Sequence, residues 1–184
     1  MRTGAEKLRG MIASAAMAAL GLTLPVVFHA VGLGSKFAPM LLPLLLNGFL
    51  SPFSWAVLTG ATVPLVSALL TGMPPLYPPV ALLLSVEGAL AAGVAAALYR
   101  ASRRIWLALL VAIVCGRAVS FVLTWFAARW FGLPPAMASL GALVQGLPGI
   151  ALQLAVIPLV VRALARRRGI LFNHGHESEA PLLQ

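Results

Sequence analysis

Two ionisable side chains, Glu87 and Arg117, stand deep inside long apolar runs. In hydrocarbon an isolated charge costs several kcal/mol, so a residue of this kind pairs, faces a polar cavity or serves a function. Glu87 lies 12 residues before Tyr99, and Arg117 lies 13 residues after Arg104. At about 1.5 Å of rise per residue those offsets are about 18 and about 20 Å, so the two charges reach similar depth on consecutive segments. Arg117, Ser120 and Thr124 follow i, i+3, i+7 spacing and share one helix side, flanked by Phe121 and Trp125. Gln145 and Gln153 bracket Pro148 and Gly149 in the last segment, and Asn47 lies in the second. A single membrane amide serves as interhelical glue as readily as ligand contact. Together these side chains are expected to collect in the outer half of a bundle, where they would wall a small-molecule cavity.

Catalysis finds little support. The chain has no G-x-x-x-x-G-K-[ST] phosphate loop, no H-E-x-x-H and no G-x-S-x-G. Glu87 has no second buried carboxylate for paired-acid chemistry, and His29 has no Ser or Cys partner. Cys115 lies in an apolar run and reads as a packing residue. His174 and His176, one residue apart in a polar tail, make a poor metal site. No cofactor, no metal and no enzymatic activity are expected.

The elements that position these residues must be membrane helices. The 184-residue chain is 61% hydrophobic and 9% charged, more apolar surface than a soluble domain of this size can hide. Its net charge of +9 reflects thirteen Lys and Arg against four Asp and Glu. The bases cluster at segment ends, which fits membrane topology and lipid headgroups rather than nucleic acid. Arg2, Lys7 and Arg9 precede an apolar stretch over 10–28, too long for a signal-peptide core and read as an uncleaved first helix.

Cut at charges and Gly/Pro clusters, the apolar runs predict six segments near 8–28, 39–50, 54–70, 79–100, 104–130 and 138–164. The second is short and carries Pro43 and Gly48, so it must be tilted, interrupted or continuous with the third. The expected fold is an all-α integral membrane bundle of six transmembrane helices with ordered outer loops. It occupies 1–168 as one domain and is followed by a polar, disordered cytoplasmic tail over 169–184. Ten bases fall on one side of such a bundle: Arg2, Lys7, Arg9, Arg100, Arg103, Arg104, Arg162, Arg166, Arg167 and Arg168. The positive-inside rule then puts both termini in the cytoplasm. The opposite loops are apolar and shaped by paired prolines, as in Thr71-Gly-Met-Pro-Pro-Leu-Tyr-Pro-Pro79. They suit a lid over a cavity and, equally, plain turns at headgroup level.

Ala15 and Ala19 form a small-xxx-small pair on the first segment, and Ser14 and Ala18 a second pair beside it. Such pairs admit close helix approach, internal or external. With the size, the six segments, the basic ends, and the runs His29-Ala-Val-Gly-Leu-Gly and Leu69-Leu-Thr-Gly-Met-Pro-Pro-Leu-Tyr-Pro, the chain resembles the S component of an energy-coupling factor (ECF) vitamin transporter. The resemblance covers roughly residues 8–168. It implies a multi-pass protein of the bacterial cell membrane that captures a vitamin-like small molecule from outside. It further implies docking through helix 1 onto a transmembrane coupling subunit driven by two cytosolic ATPases. Carried onto this chain, Ala15 and Ala19 match the coupling motif. His29, Lys36, Asn47, Tyr77, Glu87, Arg117 and Gln145 fall where ligand contacts would lie, with Ser120 and Thr124 on the same polar stripe. Arg117 and Lys36 suggest a carboxylate or phosphate ligand, a preference Glu87 would cancel by neutralising Arg117.

Two other readings compete. A stand-alone small-solute carrier requires an internal repeat or a continuous polar path, and neither is visible. A scaffolding subunit of a membrane complex would not need the shaped outer loops.

Overall fold

The computed structural model describes residues 4–32, 34–77, 79–132 and 146–173, and every regular element among them is helical. In chain order these are α1 (Gly4–Ala30), α2 (Gly34–Phe37), α3 (Leu41–Leu50), α4 (Phe53–Thr71), α5 (Val80–Ser102), α6 (Ile105–Phe131) and α7 (Leu147–Asn173). Five of them, α1, α4, α5, α6 and α7, carry stretches long and apolar enough to cross a membrane. A helix satisfies its backbone donors and acceptors internally, which lipid demands.

The count of six full crossings is corrected at the second segment. Helix α3 has 10 residues, about 15 Å of rise, or half of a hydrocarbon core about 30 Å thick. The chain bends just before it, with Ala38 at a positive φ of 42°. Leu41 and residues 43–49 are buried, because α3 lies along the axis of the bundle against α1, α4, α5 and α7. A helix surrounded by others needs no polar face, and six of its ten residues are leucine.

Helix α3 also sets the direction of the chain. At its end the Ser51 hydroxyl donates to the Gly10 carbonyl at 3.1 Å, and the Arg100 guanidinium donates to the Ser51 carbonyl. The start of α1 and the ends of α3 and α5 therefore meet on one face. Ile157 and Val161 of α7 pack with Ala108 and Leu109 near the start of α6, so α7 descends toward that same face. Helices α2 and α3 together return the chain across the bundle. Both ends of the described chain thus lie on one side even with five long helices.

Small residues permit the tight packing. A Cβ at Gly60 of α4 would lie 2.5 Å from the Gly88 carbonyl oxygen of α5, and one at Gly48 of α3 would lie 2.5 Å from that of Ala92. Backbones approach this closely only where no side chain intervenes, the usual means of holding membrane helices together without a hydrophobic drive. Helices α5 and α6 are joined through Arg103 and Arg104, with Arg103 left-handed at φ 56° as the α5 cap. That short joint makes the two helices antiparallel neighbours. Helix α7 continues past position 168 to Asn173. The rest of the tail, with His174 and His176, lies outside the described residues.

Candidate functional site

Gly116 is what brings α6 against α5 at the level of the charges. A Cβ there would already lie 3.2 Å from the Ala91 side chain and 3.6 Å from Cγ of Glu87. One residue on, Arg117 extends across the joint, and its Nη1 lies 3.4 Å from Oε1 of Glu87. The Glu87 side chain is 5% exposed and that of Arg117 is 25% exposed. Ser120 lies one turn along α6 from Arg117 and is half-buried. The matched depths read from sequence therefore become a real contact between neighbouring helices.

The pair borders a narrow cavity completed by Leu41, Leu44 and Leu45 of α3, Gly88 and Ala91 of α5, Ile113 and Gly116 of α6, and Gln153 of α7. The space left open is about that of one water. Gln153 is 2% exposed, and among the described residues its Nε2 has no hydrogen-bond partner; the same holds for Nη2 of Arg117. Two donors thus border one small cavity unused. A buried unpaired donor costs about 1–3 kcal/mol, so each of these two favours an acceptor in the cavity; Nδ2 of Asn47, which does not line it, is a third such donor.

Helix α2 packs against the start of α7, one turn from Gln153. Gly149, in the first turn of α7, packs directly on the backbone of Phe37, and the lack of a side chain at 149 is what allows it. Pro148 sits in that same first turn, where a missing N–H is harmless. The Pro148-Gly149 pair therefore starts α7 instead of breaking it. The phenyl rings of Phe28 and Phe37 meet at 5.8 Å, tilted by 59°, tying α2 back to the end of α1.

The other sequence-selected residues are dispersed. Asn47 is fully buried one turn further inward than the cavity wall. It accepts hydrogen bonds from the hydroxyls of Ser14 at 3.2 Å and Ser51 at 2.6 Å, so it joins α1 to α3 toward the Arg100 face. His29 is exposed at the end of α1, where its Nδ1 donates to the Pro25 carbonyl at 2.9 Å and its ring packs on Gly34. Tyr77 is exposed in the α4–α5 loop. Thr124 is half-buried one turn beyond Ser120. Lys36 belongs to α2, with its side chain outside the described residues, and Gln145 lies outside them altogether. Gln153, one of several amides in the sequence, emerges as the third member of the cluster. Its signal was its place one turn after Gly149, which packs on α2.

Two further surfaces flank the site. Ala15 and Ala19 are exposed on α1, while Ser14 of the neighbouring small pair is buried and Ala18 half-buried. A larger groove of about 650 Å³ opens between α4 and α5, and apart from Ser85 its lining is apolar. It offers nothing to orient a polar molecule.

Comparison with known proteins agrees with this architecture. The family model described as ECF transporter, substrate-specific component, matches residues 9–161. No curated protein and no solved structure matches the chain. Because the match runs from the first turns of α1 into the second half of α7, this multi-helix membrane protein belongs to the family of ECF transporter substrate-specific components.

Proposed function

We propose that this chain is the substrate-capturing subunit of an ATP-driven importer in the bacterial cell membrane. It takes a vitamin-like small molecule from the outer side into the space bounded by α3, α5, α6 and α7. The observation that carries this reading is the cluster of Glu87, Arg117 and Gln153, the last two with unused donors, around one small cavity walled mainly by leucine, isoleucine and alanine. Membrane ionisable groups with free donors fit ligand recognition better than packing alone. His29, Tyr77, Thr124, Lys36 and Gln145 would contribute only if the outer segments fold over the bound molecule.

The exposed Ala15/Ala19 face of α1 is suited to a partner helix, while Ser14 on the adjacent face is already engaged by Asn47. We assign that face to a transmembrane coupling subunit powered by two cytosolic ATPases. Arg9, Arg100, Arg103, Arg104, Arg162 and Arg166 lie at the face where the ends of the chain meet, which favours a cytoplasmic position for both termini. A stand-alone carrier is disfavoured by the inner half of the bundle. There Leu45, Leu109, Ile113 and Ile157 pack into one apolar cluster, and the buried Ser14, Asn47 and Ser51 bond to one another or to backbone. Native mass spectrometry of the purified protein tests the reading: a small molecule retained by wild type and lost from Arg117→Ala supports it. A ligand held elsewhere in a folded Arg117→Ala protein refutes the site.

A further inference from the structure

Resting on the proposed capture function, we infer that the buried end of the substrate is a neutral carbonyl group, such as an amide, imide or urea oxygen, and not a carboxylate or phosphate. The cavity presents donors. Nη2 of Arg117 and Nε2 of Gln153 both border it and both lack a partner among the described residues, and Gln153 is 2% exposed. A group that satisfies both must accept hydrogen bonds, so it is an oxygen or a ring nitrogen. The open space matches one oxygen-sized atom.

Formal charge then separates the acceptors. Arg117 already faces Glu87 at 3.4 Å, and with that carboxyl ionised the pair carries no net charge before anything binds. A carboxylate would bring an uncompensated negative charge beside the Glu87 carboxylate, in a wall otherwise made of Leu41, Leu44, Leu45, Ala91 and Ile113. Leu41, in the first turn of the half-length α3, brings a helix N-terminus to the cavity, but its field is worth only about half a charge. That offsets part of an anion and suits the dipole of a carbonyl. Arg117 is therefore a donor with its charge already balanced, and Glu87 is the residue that rejects acids.

The test uses the full chain in lipid nanodiscs, equilibrium dialysis and mass-spectrometric readout. The probes are matched pairs: nicotinamide with nicotinate, biotin amide with biotin, the primary amide of pantothenic acid with pantothenate, together with the neutral ring imide riboflavin. Wild type is expected to retain a neutral member at least tenfold better than any acid. Glu87→Gln, which frees the charge of Arg117, is expected to shift the amide-to-acid ratio toward the acid by tenfold or more. Should that variant misfold, Gln153→Leu supplies a second measure. It removes one donor without touching the ion pair and is expected to weaken retention of the neutral probe about tenfold while thermal stability holds or rises. A wild type that prefers an acid overturns this inference and leaves the capture function standing. So does a ratio unmoved by Glu87→Gln in folded protein, or unchanged retention in Gln153→Leu. Retention of none of the probes by wild type overturns the capture function and this inference with it.

Discussion

Replacing Arg117 by alanine removes the counter-ion of a carboxylate that is 5% exposed. Breaking a buried ion pair from one side costs about 3–5 kcal/mol, because the remaining charge keeps its desolvation penalty without its partner. Two features set this pair at the lower end. The Arg117 side chain is 25% exposed, so solvent already weakens the attraction, and the 3.4 Å separation exceeds the about 2.7–2.9 Å of a tight charge-assisted bond. The expected loss is about 3 kcal/mol. The double replacement Glu87→Leu/Arg117→Leu removes both charges, leaves apolar volume among leucines and alanines, and is expected within about 1 kcal/mol of wild type. The single variants Glu87→Leu and Arg117→Leu and this double form a mutant cycle with a coupling of about 2 kcal/mol or more. The assay is reversible unfolding of the purified chain in mixed micelles, titrated with sodium dodecyl sulfate and followed by circular dichroism. An Arg117→Ala protein within about 0.5 kcal/mol of wild type, or a double variant as damaged as the single, would show that the pair does not hold Glu87 in place.

Three other outcomes follow from the packing. Gly60→Leu is expected to abolish the folded bundle and Gly60→Ala to cost about 1–3 kcal/mol, since a Cβ there meets the Gly88 carbonyl at 2.5 Å; a Gly60→Leu protein of wild-type stability would mean that α4 and α5 separate freely. Arg100→Met is expected to cost about 1.5–3 kcal/mol in the same titration, because the guanidinium serves the Ser51 carbonyl at the end of α3; no change would show that another donor takes its place. Ala15→Leu or Ala19→Leu is expected to leave stability and small-molecule retention near wild type while cutting uptake in cells at least tenfold, since both side chains are exposed; equal loss of retention and uptake would place that face inside the fold.

The sequence alone determined the solvent, the helical class, the shared face of the ends and the meeting of Glu87 with Arg117. Each of these follows from local quantities. Segment length against bilayer thickness makes a helix, basic residues mark one side, and a two-residue joint forces neighbouring helices to run antiparallel, so residue offsets convert directly into depth. The observed bounds of α4, α5 and α6 fall within two residues of the expected segments for the same reason. Tertiary structure decided what composition cannot encode. Ten residues that include a proline, an asparagine and a glycine are compatible with a tilted crossing or an interrupted one; packing of α3 among four other helices, and its closure onto Gly10 and Arg100, selected the half-length form. Asn47 and Gln153 are both single amides in leucine-rich helices, indistinguishable by type. The first faces α1 and spends its oxygen on two hydroxyls, the second lines the cavity with Arg117, and each keeps an amide donor without a partner among the described residues. Which neighbour an amide meets depends on how helices distant in sequence rotate against one another, and that rotation is set by side-chain fit across the whole bundle.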